Sequence, residues 1–262
     1  MIVKCKNGLA NNEEYKERKA EQQERRTVSL GTGWVAAHGY VVTNAHVVEG
    51  SKNIFLVTGN GEKVEAKVIV RDRTNDLAIL SVDAARINAH AIPIAGSQAE
   101  PGTKVFTIGY PHPDVMGAAP KVTDGIVSSS TGLFDNPRTY QVTVALQSGN
   151  SGGPLLNMNG EVIGITTYKL NAAKVFQWTG DLPENVNYAV KVQYLEPLIK
   201  AIHEETVSDD VYLKRGGTLE ELSKRIMGSV FIVVVEESQA LDEKSQDFDH
   251  SSIPEWMRKY QK

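Results

Sequence analysis

The chain has 262 residues, of which 41% are hydrophobic and 23% charged, and its formal net charge is −4. This size and composition fit one large all-β unit, or one domain of about 200 residues with extensions. The negative charge argues against nucleic acid or an anionic membrane as a partner, because either would normally be met by a basic patch. No apolar run approaches the roughly 18 residues that a membrane-spanning helix needs, so we expect no membrane span.

The start of the chain and its cysteine content bear on the compartment. The first residues lack the apolar core of a secretory signal, and the single cysteine, Cys5, excludes an internal disulfide. Both features favour a reducing compartment, so we expect a cytoplasmic protein, or an extracytoplasmic one if the natural chain carries a leader missing here. No histidine has a partner at the spacing of metal ligands, and we expect no metal and no cofactor.

The predicted elements begin with a polar N-terminal arm over residues 1–26, in which residues 11–26 favour a solvated helix. From Thr27 short β-rich runs alternate with turn residues, starting with a hairpin around His38-Gly39. Further strands are expected at residues 53–58, 63–71, 77–82, 104–108, 122–128, 140–146, 152–156, 162–167 and 186–192. So many short strands with few helices between them predict a barrel or sandwich.

The last part of the chain has a different pattern of predicted elements. A helix over residues 193–204 closes the strand-rich part, which gives a predicted domain over residues 27–204. Within residues 205–262 we expect a helix at 219–227 and a strand at 230–235. So short a segment is thin for a core of its own. We therefore expect a small C-terminal α/β extension of unknown role, which either packs on the main domain or is a truncated second unit.

Three segments carry residues of the kind that hydrolyse amides. Residues 41–48 present His46 at a strand end, residues 73–80 present Asp76 before an apolar strand, and residues 149–154 place Ser151 in a glycine-rich turn. Amide hydrolysis needs a nucleophile, a base that takes its proton, a group that orients the base, and donors for the oxyanion.

These residue types fit those roles. Ser151 is the candidate nucleophile, His46 the general base, and Asp76 the carboxylate that fixes the imidazole tautomer. The flanking glycines let backbone N–H groups converge, so the loop of Gly149, Asn150 and Ser151 is the candidate oxyanion hole, through the N–H groups of Gly149 and Ser151. The order His, Asp, Ser on a strand-rich background predicts a serine endopeptidase that acts through an acyl-enzyme.

Seven short motifs are spread along the strand-rich part of the chain: GTGWV at 31–35, TNAHVV at 43–48, NDLAIL at 75–80, IGYP at 108–111, DGIVS at 124–128, GNSGGPLL at 149–156 and NVNYAV at 185–190. Together they resemble one protease family, the HtrA/Deg (DegP-like) branch of the chymotrypsin-like proteases. The resemblance covers about residues 28–203. It implies two perpendicular six-stranded β-barrels with the triad in the cleft between them, polypeptide substrates that are unfolded or misfolded, no cofactor, and frequent assembly as a homotrimer. The peptide-binding PDZ domain common in this branch is not expected here, because too few residues follow the protease.

The same resemblance implies a substrate pocket for the residue before the scissile bond. Its lining residues would be Ala145, Leu146, Thr167, Tyr168, Lys169 and Val186. Because none of them is acidic, we expect small or medium aliphatic residues there instead of lysine or arginine.

Two other readings of the sequence stay open. The run from Gly149 to Gly153 also matches the G-x-S-x-G elbow of α/β-hydrolases, although that elbow leads into a helix and here Pro154 and an Asn-Gly hairpin follow. The second alternative is a binding protein or chaperone with a protease fold, in which hydrolysis is weak or latent.

Overall fold

The structure, a computed structural model, describes residues 28–167, 186–203 and 213–237. Its strands are β1 (Val28–Ala37), β2 (Tyr40–Thr43), β3 (Ser51–Val57), β4 (Lys63–Asp72), β5 (Leu77–Val82), β6 (Lys104–Gly109), β7 (Lys121–Ser129), β8 (Thr139–Val142), β9 (Pro154–Asn157), β10 (Val162–Thr167), β11 (Asn187–Lys191) and β12 (Val230–Glu237). Its α-helices are α1 (Ala84–Ile87), α2 (Pro113–Met116), α3 (Glu196–His203) and α4 (Leu219–Ile226). Short 3₁₀ turns lie at Leu133–Asp135, Val192–Tyr194 and Met227–Ser229.

The strands form two closed barrels of six strands each. The first barrel has the order β1-β12-β3-β4-β5-β2, and the second has the order β10-β11-β8-β7-β6-β9. Every pairing between these strands is antiparallel. The double six-stranded barrel predicted from the sequence is confirmed. An α/β-hydrolase is excluded, because that fold is built on a mostly parallel sheet.

The first barrel is closed by a strand from the far end of the sequence. In β12, Val233 pairs with Gly31 of β1 on one side and with Leu56 of β3 on the other. The apolar run Val230–Val235 suits this place, because a barrel strand between two neighbours needs apolar side chains wherever both faces are covered. Helix α4, which begins with a capping box between Thr218 and Glu221, leads into this strand. The described part of the C-terminal segment, residues 213–237, therefore contributes a strand to the first barrel.

Apolar side chains fill each barrel and the space between them. The interior of the first barrel is built from residues such as Val41, Leu56 and Val233, and that of the second from residues such as Tyr140 and Leu155. A third cluster joins the two barrels, in which Trp34, Leu77 and Ile79 of the first barrel pack with Phe106, Ile108 and Ile165 of the second. This shared core holds the faces that carry the candidate site residues against each other.

The expected elements agree with the structure in most of their bounds. The hairpin around His38-Gly39 and the strands at 77–82 and 162–167 are found where they were expected. The strand expected at 140–146 is shorter and ends at Val142, where the chain turns toward the serine loop. The helix expected at 193–204 begins as a 3₁₀ turn and becomes α-helical at Glu196. The predicted N-terminal helix lies outside the described residues.

Candidate active site

His46 and Asp76 are brought together by two neighbouring strands of the first barrel. His46 follows β2 and Asp76 precedes β5, and these strands pair with Thr43 opposite Ala78. His46 Nδ1 lies 2.8 Å from Asp76 Oδ2 and 3.0 Å from Oδ1, and the backbone N–H of His46 donates to Oδ1 at 3.0 Å. Because a carboxylate only accepts, Nδ1 carries a proton in this contact, and in the neutral imidazole the free electron pair is then on Nε2.

Asp76 is fixed by its neighbours in an unusual backbone conformation. Its φ is 57°, in the left-handed region that non-glycine residues seldom adopt. The side-chain amide of Asn44 donates to the Asp76 carbonyl at 2.9 Å, and the Thr167 hydroxyl donates to Oδ2 at 3.3 Å. Asp76 is only 8% exposed, so the Thr167 hydroxyl and the two His46 groups replace much of the water that would otherwise solvate the carboxylate.

Ser151 belongs to a loop of the second barrel that presses against the first. The N–H of Thr32 on β1 donates to the Ser151 carbonyl at 2.8 Å. Gly152 has a φ of 89°, and a Cβ there would overlap the Thr32 carbonyl and the Thr43 hydroxyl. Only glycine therefore allows the serine turn to approach the strand end that leads to His46.

The loop before Ser151, predicted to form the oxyanion hole, packs closely against the chain at Tyr110. Gly149 has a φ of 97°, and a Cβ on it would overlap the Tyr110 carbonyl oxygen. The Ser148 carbonyl accepts from the His112 N–H at 2.9 Å, which turns the peptide between Ser148 and Gly149. The Gly149 N–H donates to no group in the part of the chain that the structure describes. The Asn150 N–H, in contrast, donates to Gln147 at 3.0 Å, so Asn150 has a structural role in the turn.

Thr32 is the residue that joins the two barrels at this loop. Besides its N–H bond to Ser151, its hydroxyl donates to the Gly149 carbonyl at 2.7 Å and accepts from the Tyr110 N–H at 3.2 Å. Its carbonyl accepts from the Thr43 hydroxyl at 2.8 Å. Thr32 is fully buried, so each of these bonds also satisfies a group that has no access to water.

Tyr110 extends this network to the C-terminal strand. Its hydroxyl donates to the Val230 carbonyl of β12 at 2.9 Å. The ring is 5% exposed, and burial raises the pKa of Tyr110 to about 12. A chain of hydrogen bonds therefore runs from Val230 through Tyr110 and Thr32 to Gly149.

The residues expected to line the substrate pocket differ in their exposure. Leu146 is buried in the core of the second barrel, while Ala145 is exposed. Thr167 directs its hydroxyl to Asp76. Val186 is half-buried, and Tyr168 and Lys169 lie outside the described residues.

A cavity of about 300 Å³ lies beside Asp76, between the two barrels. Thr74 and Asp76 line it from the first barrel, and Arg138 and Tyr188 from the second. Arg138 spans the gap, with Nη1 at 3.4 Å from the Thr74 carbonyl. The cavity is thus an open space on the Asp76 side of the His46–Asp76 pair.

Sequence reasoning missed several residues that support the site. It singled out the Gly-Thr-Gly motif at 31–33 without a role for Thr32, and it treated Thr167 as a pocket wall. The glycines on both sides of Thr32 were the available signal, because glycine inside a strand marks a close approach of another backbone.

Two barrels, one with a histidine–aspartate pair and the other with a glycine-flanked serine turn against it, define the chymotrypsin-like class of serine hydrolase folds. A family model described as the trypsin-like peptidase domain matches residues 31–165. The chain belongs to the trypsin-like peptidase family.

Individual relatives place the chain near one branch of that family. It is 39% identical over 155 residues to the serine protease Do-like HtrA of Lactobacillus helveticus, a match that covers 55% of this chain and 37% of the relative. It is 39% identical over 152 residues to the periplasmic serine endoprotease DegP of Salmonella typhimurium, covering 55% and 31%. A solved serine endoprotease from Yersinia pestis superposes with a TM-score of 0.55 at 28% identity, covering 72% of this chain and 68% of that one.

The HtrA/DegP resemblance that the motifs indicated is thus confirmed. The chain spans about a third of the length of these two curated relatives. No helix in the described ranges is both long enough and apolar enough to cross a bilayer.

Proposed function

We propose that the chain is a serine endopeptidase in which His46, Asp76 and Ser151 form the catalytic triad. The observation that carries the proposal is the 2.8 Å contact between His46 Nδ1 and Asp76, on a barrel whose β1 strand binds the Ser151 carbonyl. Family membership and the HtrA and DegP relatives support the same conclusion.

Each group of the proposed triad and oxyanion loop has one role in the reaction. Nε2 of His46 takes the proton of the Ser151 hydroxyl as the oxygen attacks the substrate carbonyl, and Asp76 stabilises the imidazolium that forms. The N–H groups of Gly149 and Ser151 bind the oxyanion, each being worth roughly 3 kcal/mol in the transition state. Breakdown of the intermediate passes the proton from Nε2 to the leaving amine, and water then hydrolyses the acyl-enzyme in the same manner.

The substrates in this proposal are polypeptides, and unfolded or misfolded ones above all. The cavity beside Asp76 offers room for residues next to the scissile bond. For the residue before that bond we propose a small or medium aliphatic side chain, because the residues assigned to its pocket carry no acidic group. Sequencing the fragments of a digested protein would check this, and clustering of cuts after lysine or arginine would contradict it.

For assembly and compartment, the proposal is drawn from the HtrA/DegP family resemblance. We propose a homo-oligomer, with a trimer as the expected state, which sedimentation of the full chain would measure. The Salmonella relative is named as periplasmic, which fits the extracytoplasmic alternative. The relatives give no support to the cytoplasmic location that the sequence favoured, so we propose an extracytoplasmic one.

The decisive experiment compares wild type with Ser151→Ala on an unfolded polypeptide such as casein. Wild type should produce fragments, and Ser151→Ala should slow cleavage by a factor of about 10⁴ or more, because the nucleophile is removed. Ser128→Ala is the matched control, since Ser128 is an exposed serine of the same barrel. Equal cleavage by wild type and Ser151→Ala would refute the proposed nucleophile.

Labelling with a fluorophosphonate separates this function from the latent alternative. An active enzyme should be labelled at Ser151 without any addition, which mass spectrometry of the digested protein would locate. A protein in which hydrolysis is latent would be labelled only after a substrate peptide is added. No labelling at Ser151 under either condition would favour the binding protein or chaperone.

A further inference from the structure

A second cavity, of about 250 Å³, opens in the second barrel and is lined by residues that the proposed mechanism does not use. Polar lining comes from Ser97 and Gln98 of the loop before β6, and from Gln193 and Glu196 near α3. Tyr140 of β8 and Lys191 of β11 complete it.

This cavity lies on the other side of β8 and β11 from the cavity beside Asp76. Ala189 pairs with Tyr140, and both belong to the core inside the second barrel. The side chain of Lys191, two residues after Ala189, points to the same side of the strand as that of Ala189. The side chains of Thr139 and Tyr188 point to the opposite side of these strands, and they line the cavity beside Asp76. The two cavities are therefore separate places in the molecule.

Lys191 is a buried lysine that lines this cavity. Its residue is only 6% exposed, yet its ammonium makes no hydrogen bond or ion pair with the residues that the structure describes. The ammonium nitrogen lies 5.0 Å from the centroid of the Tyr140 ring. Burial lowers the pKa of Lys191, and the nearby charge of Glu100 opposes that effect. Since buried charges in proteins are normally paired and hydrogen-bonded, this ammonium has unused capacity to bind an anion.

The surroundings add hydrogen-bond donors for such an anion. The Tyr140 hydroxyl accepts from the Ala99 N–H at 2.9 Å and keeps its own proton to donate. The backbone N–H groups of Gly96, Ser97 and Gln98 make no bond to other described residues. The residues that carry these donors and the ammonium all line one cavity, which is smaller than the roughly 300–1,000 Å³ that drug-sized ligands occupy.

We propose that this cavity is a binding site for a small carboxylate, held by the Lys191 ammonium. One cation balances one negative charge. Glu196 in the lining and Glu100 nearby repel any anion, and they repel a doubly charged phosphate more strongly than a singly charged carboxylate. A carboxylate can come from a free organic acid or from the end of a polypeptide. The site does not depend on the proposed protease function.

Thermal unfolding of the full chain tests the site, with acetate as the probe and chloride at equal ionic strength as the reference. Wild type should gain about 3–5 °C in Tm at an acetate concentration ten times the dissociation constant. Lys191→Met should lose this gain. Lys224→Met is the matched control and should keep it, because Lys224 is exposed and pairs with Glu220.

A second variant keeps the test decisive if Lys191→Met fails to fold. Glu196→Gln removes a negative charge from the lining, so it should bind acetate more tightly than wild type. No gain over chloride in wild type, an equal gain in Lys191→Met, or unchanged affinity in Glu196→Gln would overturn the proposal.

Thermal unfolding with a short peptide distinguishes the two sources of the carboxylate, a free organic acid and a polypeptide end. In the Ser151→Ala background, which protects the peptide, triglycine with a free C-terminus is compared with its C-terminal amide. A gain in Tm from the free acid alone assigns the site to polypeptide ends. If acetate stabilises and both peptides fail, the site takes free organic acids.

Discussion

The single residue Thr32 shows that both barrels contribute contacts to the site. Its hydroxyl satisfies the Gly149 carbonyl and the Tyr110 N–H at once, in a place without water. We expect Thr32→Val to leave both groups unpaired, which should lower the free energy of unfolding by about 2 kcal/mol. It should also lower kcat by a factor of about 10 to 100 with little change in KM, because the oxyanion loop acts mainly in the transition state.

The control for this prediction is Thr32→Ser, which keeps the hydroxyl and should stay close to wild type in both measurements. Steady-state kinetics on a peptide substrate gives the two constants, and urea unfolding gives the stability. A purely structural role would reduce stability alone. Unchanged kcat in Thr32→Val would therefore contradict its positioning role.

The link between Tyr110 and β12 belongs to the scale of elements, and it makes stability depend on pH. Burial raises the pKa of Tyr110 to about 12, whereas tyrosine in an unfolded chain titrates near 10. Between these values the unfolded chain has released a proton that the folded chain still holds. The free energy of unfolding should thus fall as pH rises from 10 to 12, by up to about 2.7 kcal/mol from this group, and the contribution is complete below pH 10.

Comparison of wild type with Tyr110→Phe isolates this effect. The variant should be less stable by about 1 kcal/mol near neutral pH, because the Val230 carbonyl loses its donor. Its decline above pH 10 should be shallower than that of wild type. Urea unfolding at a series of pH values measures both slopes, and parallel curves from pH 7 to 12 would count against the assignment.

The elements also show which features of the fold a sequence reveals. Alternating apolar residues and the Asn-Gly and His38-Gly39 turns predicted most strands, because these signals act within a few residues. The apolar run 230–235 was recognised as a strand, but its place between β1 and β3 was not. Pairing of strands nearly two hundred residues apart depends on barrel closure, for which a local pattern holds no information.

The candidate site also contains some residues that the sequence predicts and others that only the fold reveals. His46, Asp76 and Ser151 lie in motifs whose composition points to chemistry, and the structure brings the first two into contact. Thr32, Thr167 and Tyr110 support the site through contacts between barrels. Threonine in a strand and tyrosine after one are ordinary residues, so only the fold reveals what they touch.

At the scale of the whole molecule, the strand-rich part of the chain up to residue 204 does not complete its own first barrel. A chain ending at residue 204 lacks β12, which leaves β1 and β3 with unpaired edges. We expect this truncated chain to aggregate and to show no fluorophosphonate labelling of Ser151, although all six strands of the second barrel are present. A chain ending at residue 237 should be labelled like wild type. Full labelling of the shorter chain would show that β12 is dispensable.

The position of β12 has a consequence for biosynthesis. The histidine and the acid leave the ribosome first and the nucleophile follows, but β12, which closes the barrel that holds the first two, is translated after all of them. At about 5–20 residues per second, a nascent chain spends several seconds with every catalytic side chain made and no working enzyme. We expect the nascent chain to cleave no neighbouring proteins until β12 has left the ribosome.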